Sequence, residues 1–157
     1  MSEPGPKLYD ELAPWFHLLT APEDYAEEAE AYRQLLNEAG DPPPRTVLEL
    51  GSGGGNNASH LKAHFELTLV DRSPQMLELS HGLNPEVRHE LGDMRTVRLG
   101  ETFDGVFVHD ALAYITTEAD LATTIRTAAA HLRPGGAVLF VPDFVKERYA
   151  PHESRRA

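Results

Sequence analysis

The sequence predicts a single α/β domain built on a parallel sheet. From Arg45 onward, short apolar runs end in glycine or aspartate and each is followed by a helical stretch, the alternation that βαβ units leave in a sequence. A glycine cluster, Gly51 to Gly55, stands where the first of these runs gives way to a helix. With 157 residues, 41% apolar and 25% charged, the chain is long enough to bury a core and too short for two domains of ordinary size.

The elements follow in order. Thr20, Ala21, Pro22 and Glu23 have the spacing of a capping box with proline at the first turn, and Gly40 followed by Asp41 and three prolines gives the stop, so a helix is expected between them. Along it Tyr25, Ala29, Tyr32, Leu36 and Ala39 recur at helical spacing and predict a packing face, with Glu27, Glu28 and Glu30 largely on the solvated side. Strands are expected near Thr46 to Leu50, Leu67 to Val70, Val87 to Leu91, Phe103 to Val108 and Ala137 to Val141. Ser73 with Pro74 is a helix start. Thr117 to Leu132 reads as a helix with Leu121, Ile125, Ala128 and Leu132 on one face, closed by Pro134-Gly135-Gly136.

Composition narrows the function. A net charge of −11, with no stripe of basic residues, repels a phosphate backbone and argues against nucleic acid. The longest apolar run, AVLFV from Ala137, is far shorter than the ~20 residues of a membrane helix. MSEPGPK lacks the basic end and apolar stretch of a secretory signal, so a cytoplasmic location is expected. The absence of cysteine excludes disulfides, thiolate metal sites and a cysteine nucleophile, and no metal site is expected.

The segment Glu49 to Asn56, ELGSGGGN, is shaped to bring backbone close to a nucleotide-like ligand, because glycine carries no Cβ to hold it off. A dinucleotide fingerprint would have glycine at the sixth position counted from Gly51; Asn56 stands there instead, which weakens a pyrophosphate reading. Asp71 ends the second apolar run twenty residues beyond Gly51, the place from which a carboxylate can accept both hydroxyls of a ribose. The bland alternative is a solvated aspartate before a helix.

With these motifs the sequence resembles the class I S-adenosylmethionine-dependent methyltransferases from about Tyr9 to Pro142. VLELGSGGGNN is similar to the family's first motif and LVDRSPQML to the segment with its ribose-binding acid. GDM at Gly92 to Met94, FDGVFVHDALAYI and LRPGGAVLFV resemble the three that follow, in the same order. The resemblance implies a Rossmann-like doubly wound sheet with strand order 3-2-1-4-5, here lacking the C-terminal β6/β7 hairpin. It also implies a helical lid or cap over residues 1–40 on a core of residues 41–157, within one domain.

Its functional residues carry over by position. Gly51, Ser52, Gly53 and Asn56 would surround the methionine part of S-adenosylmethionine, and Glu49 would complement its positive groups. Asp71 would hold the ribose, Arg72 or Met76 would lie against the adenine, and Gly92, Asp93 and Met94 would flank it, Asp93 accepting from the exocyclic amine. Met76 has a core role as its alternative, and Asp93 a turn-capping one. Tyr9, in the lid-like YDELAPWFHLL, would reach the ligand; Trp15, Phe16, Leu18 and Leu19 of that segment otherwise read as an apolar face packing on the sheet.

The resemblance implies in-line methyl transfer, with S-adenosylhomocysteine as product, to a small-molecule nitrogen or oxygen acceptor. Such a displacement gains mostly from holding its partners in line, and the acceptor must lose a proton. His109, at the end of the fourth strand, is the candidate base and also a cofactor-site candidate; Asp110 and Tyr114 are substrate-pocket candidates. As strand neighbours, His109 and Asp110 are expected to point to opposite faces. HDALAY lacks the Pro-Pro-aromatic run of DNA-adenine and protein-glutamine methylases, and the chain looks most like sugar and natural-product N-methyltransferases. Two alternatives remain at this level, an NAD(P)-dependent oxidoreductase and a non-catalytic S-adenosylmethionine-binding module. The polar tail DFVKERYAPHESRRA is expected to add no strands, which predicts an incomplete, inactive chain or a homodimer through the exposed edge of the fifth strand.

Overall fold

In the computed structural model residues 7–143 and Val145 are described. The expectation for the tail therefore falls almost wholly outside the described residues. Five parallel strands, β1 (Thr46–Leu50), β2 (Glu66–Asp71), β3 (Arg88–Leu91), β4 (Phe103–Val108) and β5 (Leu132–Phe140), form one sheet in the order β3-β2-β1-β4-β5. This is the predicted order, and the switch in the order of strand addition between β1 and β4, which run parallel, opens a crevice at the strands' carboxyl ends.

Strand alternation divides the core into two. Val47, Leu69 and Phe107 pack on one face with Ala29, Tyr32 and Leu36; Leu48, Leu50, Val70, Val106 and Val108 pack on the other with Ala128. The helices are α1 (Phe16–Leu19), α2 (Ala26–Ala39), α3 (Asn56–Leu61), α4 (Pro74–Leu83) and α5 (Glu118–Ala130). Ala29, Tyr32 and Leu36 of α2 are buried, as their spacing predicts. Ser73 caps α4, its Oγ accepting from Met76 N at 3.2 Å.

Four local expectations change. The capping box at Thr20 does not form: its hydroxyl donates to the Phe16 carbonyl at 3.2 Å, and Pro22–Tyr25 is a 3-10 helix leading into α2. Trp15, Leu18 and Leu19, read as a packing face, are 61%, 77% and 71% exposed, because the short α1 turns only its Phe16 side inward. On α5 the buried positions are Thr124, Thr127 and Ala128, while Leu121 and Ile125 are exposed. The segment after β3 explains this: Thr127 Oγ1 donates to Arg95 O at 2.8 Å and accepts from Arg98 Nη1 at 2.8 Å, so the helix docks on polar contacts. Finally, β5 starts at Leu132, ahead of the predicted Ala137. Leu132 already pairs with Phe103, and the Pro-Gly-Gly run is absorbed as an irregularity before Ala137 pairs with Gly105.

Candidate functional site

The loop from β1 to α3 is held by backbone and kept open by glycine. Gly51 N and Ser52 N both donate to Val70 O, at 2.8 and 3.0 Å, binding the loop to the end of β2. Gly51 has φ +72°, and a Cβ on it would stand 2.3 Å from Ala111 Cβ, so only glycine lets the segment after β4 lie so near. Asn56, where the dinucleotide pattern would have glycine, begins α3 and donates through Nδ2 to Thr20 O at 3.2 Å. His17 Nε2 lies 3.2 Å from Gly54 O, so the N-terminal segment is tied to this loop twice.

Asp71 closes the loop from the other side. Its Oδ2 accepts from Gly53 N at 2.8 Å and its Oδ1 from Ser73 N at 2.9 Å. Burial raises its carboxyl above the ordinary value, against these two bonds, which favour the charged form. Glu49, one residue from the end of β1, is 3% exposed, and its Oε2 has no hydrogen-bond partner among the described residues. Burial, reinforced by the carboxylates of Asp71, Asp110 and Glu28, pushes it up to about 8. Buried polar atoms normally find partners, so Glu49 Oε2 is suited to meet a donor or a positive group from a bound molecule. Ser52 Oγ, Asn56 Oδ1 and Asn57 Oδ1 are orphaned too, and all four residues line one cavity.

Beyond β4 the chain turns sharply. His109 is extended and Asp110 opens a 3-10 helix, Asp110–Tyr114, so the two side chains meet: His109 Nε2 is 3.1 Å from Asp110 Oδ1. The expectation of opposite faces fails because strand alternation ends at Val108. Glu28 Oε1 lies 3.6 Å from the same nitrogen. Burial holds the imidazole below its ordinary value, against the pull of Glu28 and Asp143. Asp110 is pushed up to about 6 by burial and by its hydrogen bond to Asp143. Tyr9 and Tyr114 join hydroxyl to hydroxyl at 2.5 Å, and Ser73 Oγ donates to Tyr9 O at 2.5 Å. Burial and the Tyr114 hydrogen bond raise the Tyr9 phenol well above its ordinary value.

The cavity so formed has a volume of about 470 Å³, in the range of small-molecule sites. Every residue singled out from the sequence lines it: Tyr9, Glu49, Gly51, Ser52, Gly53, Asn56, Asp71, Arg72, Met76, Gly92, Asp93, Met94, His109, Asp110 and Tyr114. Met76 and Asp93, assigned to the adenine side, have close partners within the chain. Met76 is 1% exposed and packs beneath Gly53, and Asp93 binds Arg95 through both oxygens, with Oδ2 2.7 Å from Nη2, which lowers its carboxyl. The sequence reading missed Asn57, Phe16 and Tyr25 as lining residues. Asn57 sits inside the first motif; the pattern around Phe16 and Tyr25 predicts packing faces, and only the course of the N-terminal segment brings these two residues to the crevice. Among the described residues no cluster suited to a metal ion occurs, and no helix is long and apolar enough to cross a membrane.

Comparison with known proteins gives this geometry a family. The chain is similar to a dTDP-3-amino-3,4,6-trideoxy-α-D-glucopyranose N,N-dimethyltransferase of Streptomyces venezuelae, at 30% identity over 129 residues, 81% of this chain and 54% of the relative. Its fold is similar to the sugar N-methyltransferase KedS8 of a Streptoalloteichus species, with TM-score 0.79, 26% identity, and 98% of this chain against 60% of that one. It is also similar to S-adenosylmethionine-bound CalS10, an amino pentose methyltransferase of Micromonospora echinaspora, with TM-score 0.76, 27% identity, and coverage of 96% and 62%. The chain spans about half the length of the curated relatives it matches. Residues 47–136 match the methyltransferase domain family, from β1 into the start of β5, and the chain, with its class I Rossmann-like sheet, belongs to that family.

Proposed function

We propose that this chain binds S-adenosylmethionine in the crevice between β1 and β4 and serves methyl transfer to the nitrogen of a small-molecule amine, of the amino-sugar type its relatives are named for. The observation that carries the reading is the unpartnered Glu49 carboxyl beside the orphaned oxygens of Asn56 and Asn57. A cavity whose unmet demand is for donors and positive charge suits a ligand bearing an ammonium and a sulfonium. Gly51, Gly53 and Gly54 line the cavity without side chains and offer backbone to the amino-acid part of that ligand. Asp71 offers its remaining lone pairs to ribose hydroxyls, and Arg72, Met76 and the Gly92 to Met94 turn line the adenine side. Asp93 would exchange part of its Arg95 pairing for the adenine amine.

When bound, S-adenosylmethionine supplies an electrophilic methyl on a positively charged sulfur. The chain's part is to exclude water and align the acceptor. The Tyr9–Tyr114 pair and Phe16 close the cavity from the N-terminal segment, which supports the cap reading for the first part of residues 1–40, while α2 packs on the sheet of the 41–157 core. His109 and Asp110 form the acceptor end. We include in this reading a cytoplasmic location and pairing of two chains through β5, an edge strand whose Val138 is 43% exposed.

Titration calorimetry with S-adenosylhomocysteine and with NADH tests the proposal. Binding of the first with no heat from the second is expected. NADH binding with silence toward the first would overturn it in favour of an oxidoreductase. Binding without transfer across a panel of amines and alcohols would favour a non-catalytic module.

A further inference from the structure

We propose that Asp110 is the residue that receives the acceptor amine's proton, and that His109 is a positioning residue behind it; the inference rests on the methyltransferase reading above. The hydrogen bond between Asn57 and His109 assigns the roles. Asn57 Nδ2 faces His109 Nδ1 at 3.2 Å, and an amide NH2 can only donate, so Nδ1 accepts. In the neutral ring the proton then sits on Nε2, whose nearest carboxylate oxygens are Asp110 Oδ1, 3.1 Å away, and Glu28 Oε1, 3.6 Å away. Nε2 already carries its proton and the lone pair of Nδ1 is taken by Asn57, so the ring has no free nitrogen for the acceptor's proton. The ring is further held by stacking on Phe107, with centroids 5.9 Å apart and planes at 20°, and by Tyr32 at 5.1 Å.

Asp110 is the exposed member of the pair. Its side chain is 54% accessible against 10% for His109, and it lines the cavity on the same 3-10 helix as Tyr114. The buried, unpartnered oxygens of Glu49 and Asn57 belong to residues that line the same cavity. The backbone bond Val141 N to Val108 O, 2.8 Å, runs the chain after β5 past the end of β4 and brings Asp143 to Asp110. The charged and titratable groups around Asp110 are thus His109, Asp143, Glu28 and Glu49, with the phenols of Tyr9, Tyr25 and Tyr32.

The chemistry balances. An acceptor ammonium gives one proton to the Asp110 carboxylate and becomes a neutral amine. Its lone pair then forms the N–C bond as the C–S bond breaks, the bonding pair staying on sulfur, which loses its positive charge while the product nitrogen gains it. Raising a carboxyl from 3.8 to about 6 makes the proton transfer from an ammonium about a hundredfold less uphill, while leaving the group mostly ionised at neutral pH.

The test uses the full chain with S-adenosylmethionine, dTDP-3-amino-3,6-dideoxy-α-D-glucopyranose as acceptor, and three variants. Asp110→Asn is expected to lower kcat about a hundredfold or more and to abolish the acid limb near pH 6, with S-adenosylhomocysteine affinity within about threefold of the parent. His109→Gln keeps a polar N–H group beside Asp110 and retains most of the rate. His109→Leu puts an apolar side chain there, raises the Asp110 carboxyl and moves the acid limb to higher pH. Independently of turnover, ¹⁵N NMR of the His109 ring should show the neutral Nε2–H form at pH 7. An Nδ1–H ring, a kcat in Asp110→Asn within about threefold of the parent, or a parent chain that binds S-adenosylhomocysteine but transfers nothing to this amine would each overturn the assignment. Failure to bind S-adenosylhomocysteine at all would instead remove the reading on which it rests.

Discussion

Glu49→Gln isolates the electrostatic demand of the site. The folded chain holds the Glu49 carboxyl at about 8 against an ordinary value of 4.5, by burial first and then by neighbouring carboxylates. Below 4.5 both folded and unfolded chains keep the proton and nothing is lost. Between 4.5 and about 8 the unfolded chain gives it up while the folded one retains it, so the ligand-free fold weakens as pH rises. At 1.36 kcal/mol per pK unit the full cost by alkaline pH is about 5 kcal/mol at most, since water in the cavity shares the charge. Glutamine has the same shape and no charge, so the variant should match the parent in acid and exceed it in alkali. Urea unfolding near pH 5.5 and near pH 8.5 should show the advantage growing by about 3 kcal/mol. S-adenosylhomocysteine, which brings an ammonium, should bind the parent with proton release, visible as a buffer-dependent calorimetric heat, and bind the variant more weakly without it. A stability difference that stays constant across this range would show that Glu49 is not held protonated, and the argument for a cation-seeking cavity would fall with it.

Three further outcomes follow from the same geometry. Asp71→Ala removes an acceptor shared by Gly53 N, Ser73 N and the proposed ribose, and at ~1.5 to 3 kcal/mol for bonds to a charged group S-adenosylhomocysteine affinity should drop by about one to two decades; an unchanged dissociation constant in a folded variant would remove the ribose assignment. Gly51→Ala and Gly100→Ala share a strained positive φ, but only the first meets an atom, Ala111 Cβ at 2.3 Å, while Gly100 faces open space. Both should lose about 1 kcal/mol for backbone, and only Gly51→Ala should melt several degrees lower still and lose ligand binding; equal melting points would refute the close approach. Tyr9→Phe deletes one hydroxyl of the 2.5 Å pair and should speed S-adenosylhomocysteine release several-fold in stopped-flow measurements, a loss of about 1 kcal/mol; an unaltered off-rate would mean that this contact does not restrain the cap.

The sequence by itself determined the sheet and the floor of the site. Alternating apolar strands, glycines after the first of them and Asp71 at the end of the second are consequences of neighbouring residues, and they bring Glu49, Gly51, Gly53 and Asp71 together wherever β1 and β2 lie side by side. Strand lengths, the threonine face of α5 and the exposure of Trp15, Leu18 and Leu19 were decided by partners distant in the chain: Leu132 pairs early with Phe103, and Thr127 finds Arg95. The acceptor end depended most on tertiary structure. His109 was legible as a candidate, but its proton is placed by Asn57, its orientation by Phe107 and Tyr32, and its contact with Asp110 by a turn that ends strand alternation at Val108. Periodicity reports which face a side chain occupies within one element. Which groups share a proton is set by distances of a few ångströms between elements, and those exist only once the chain has folded.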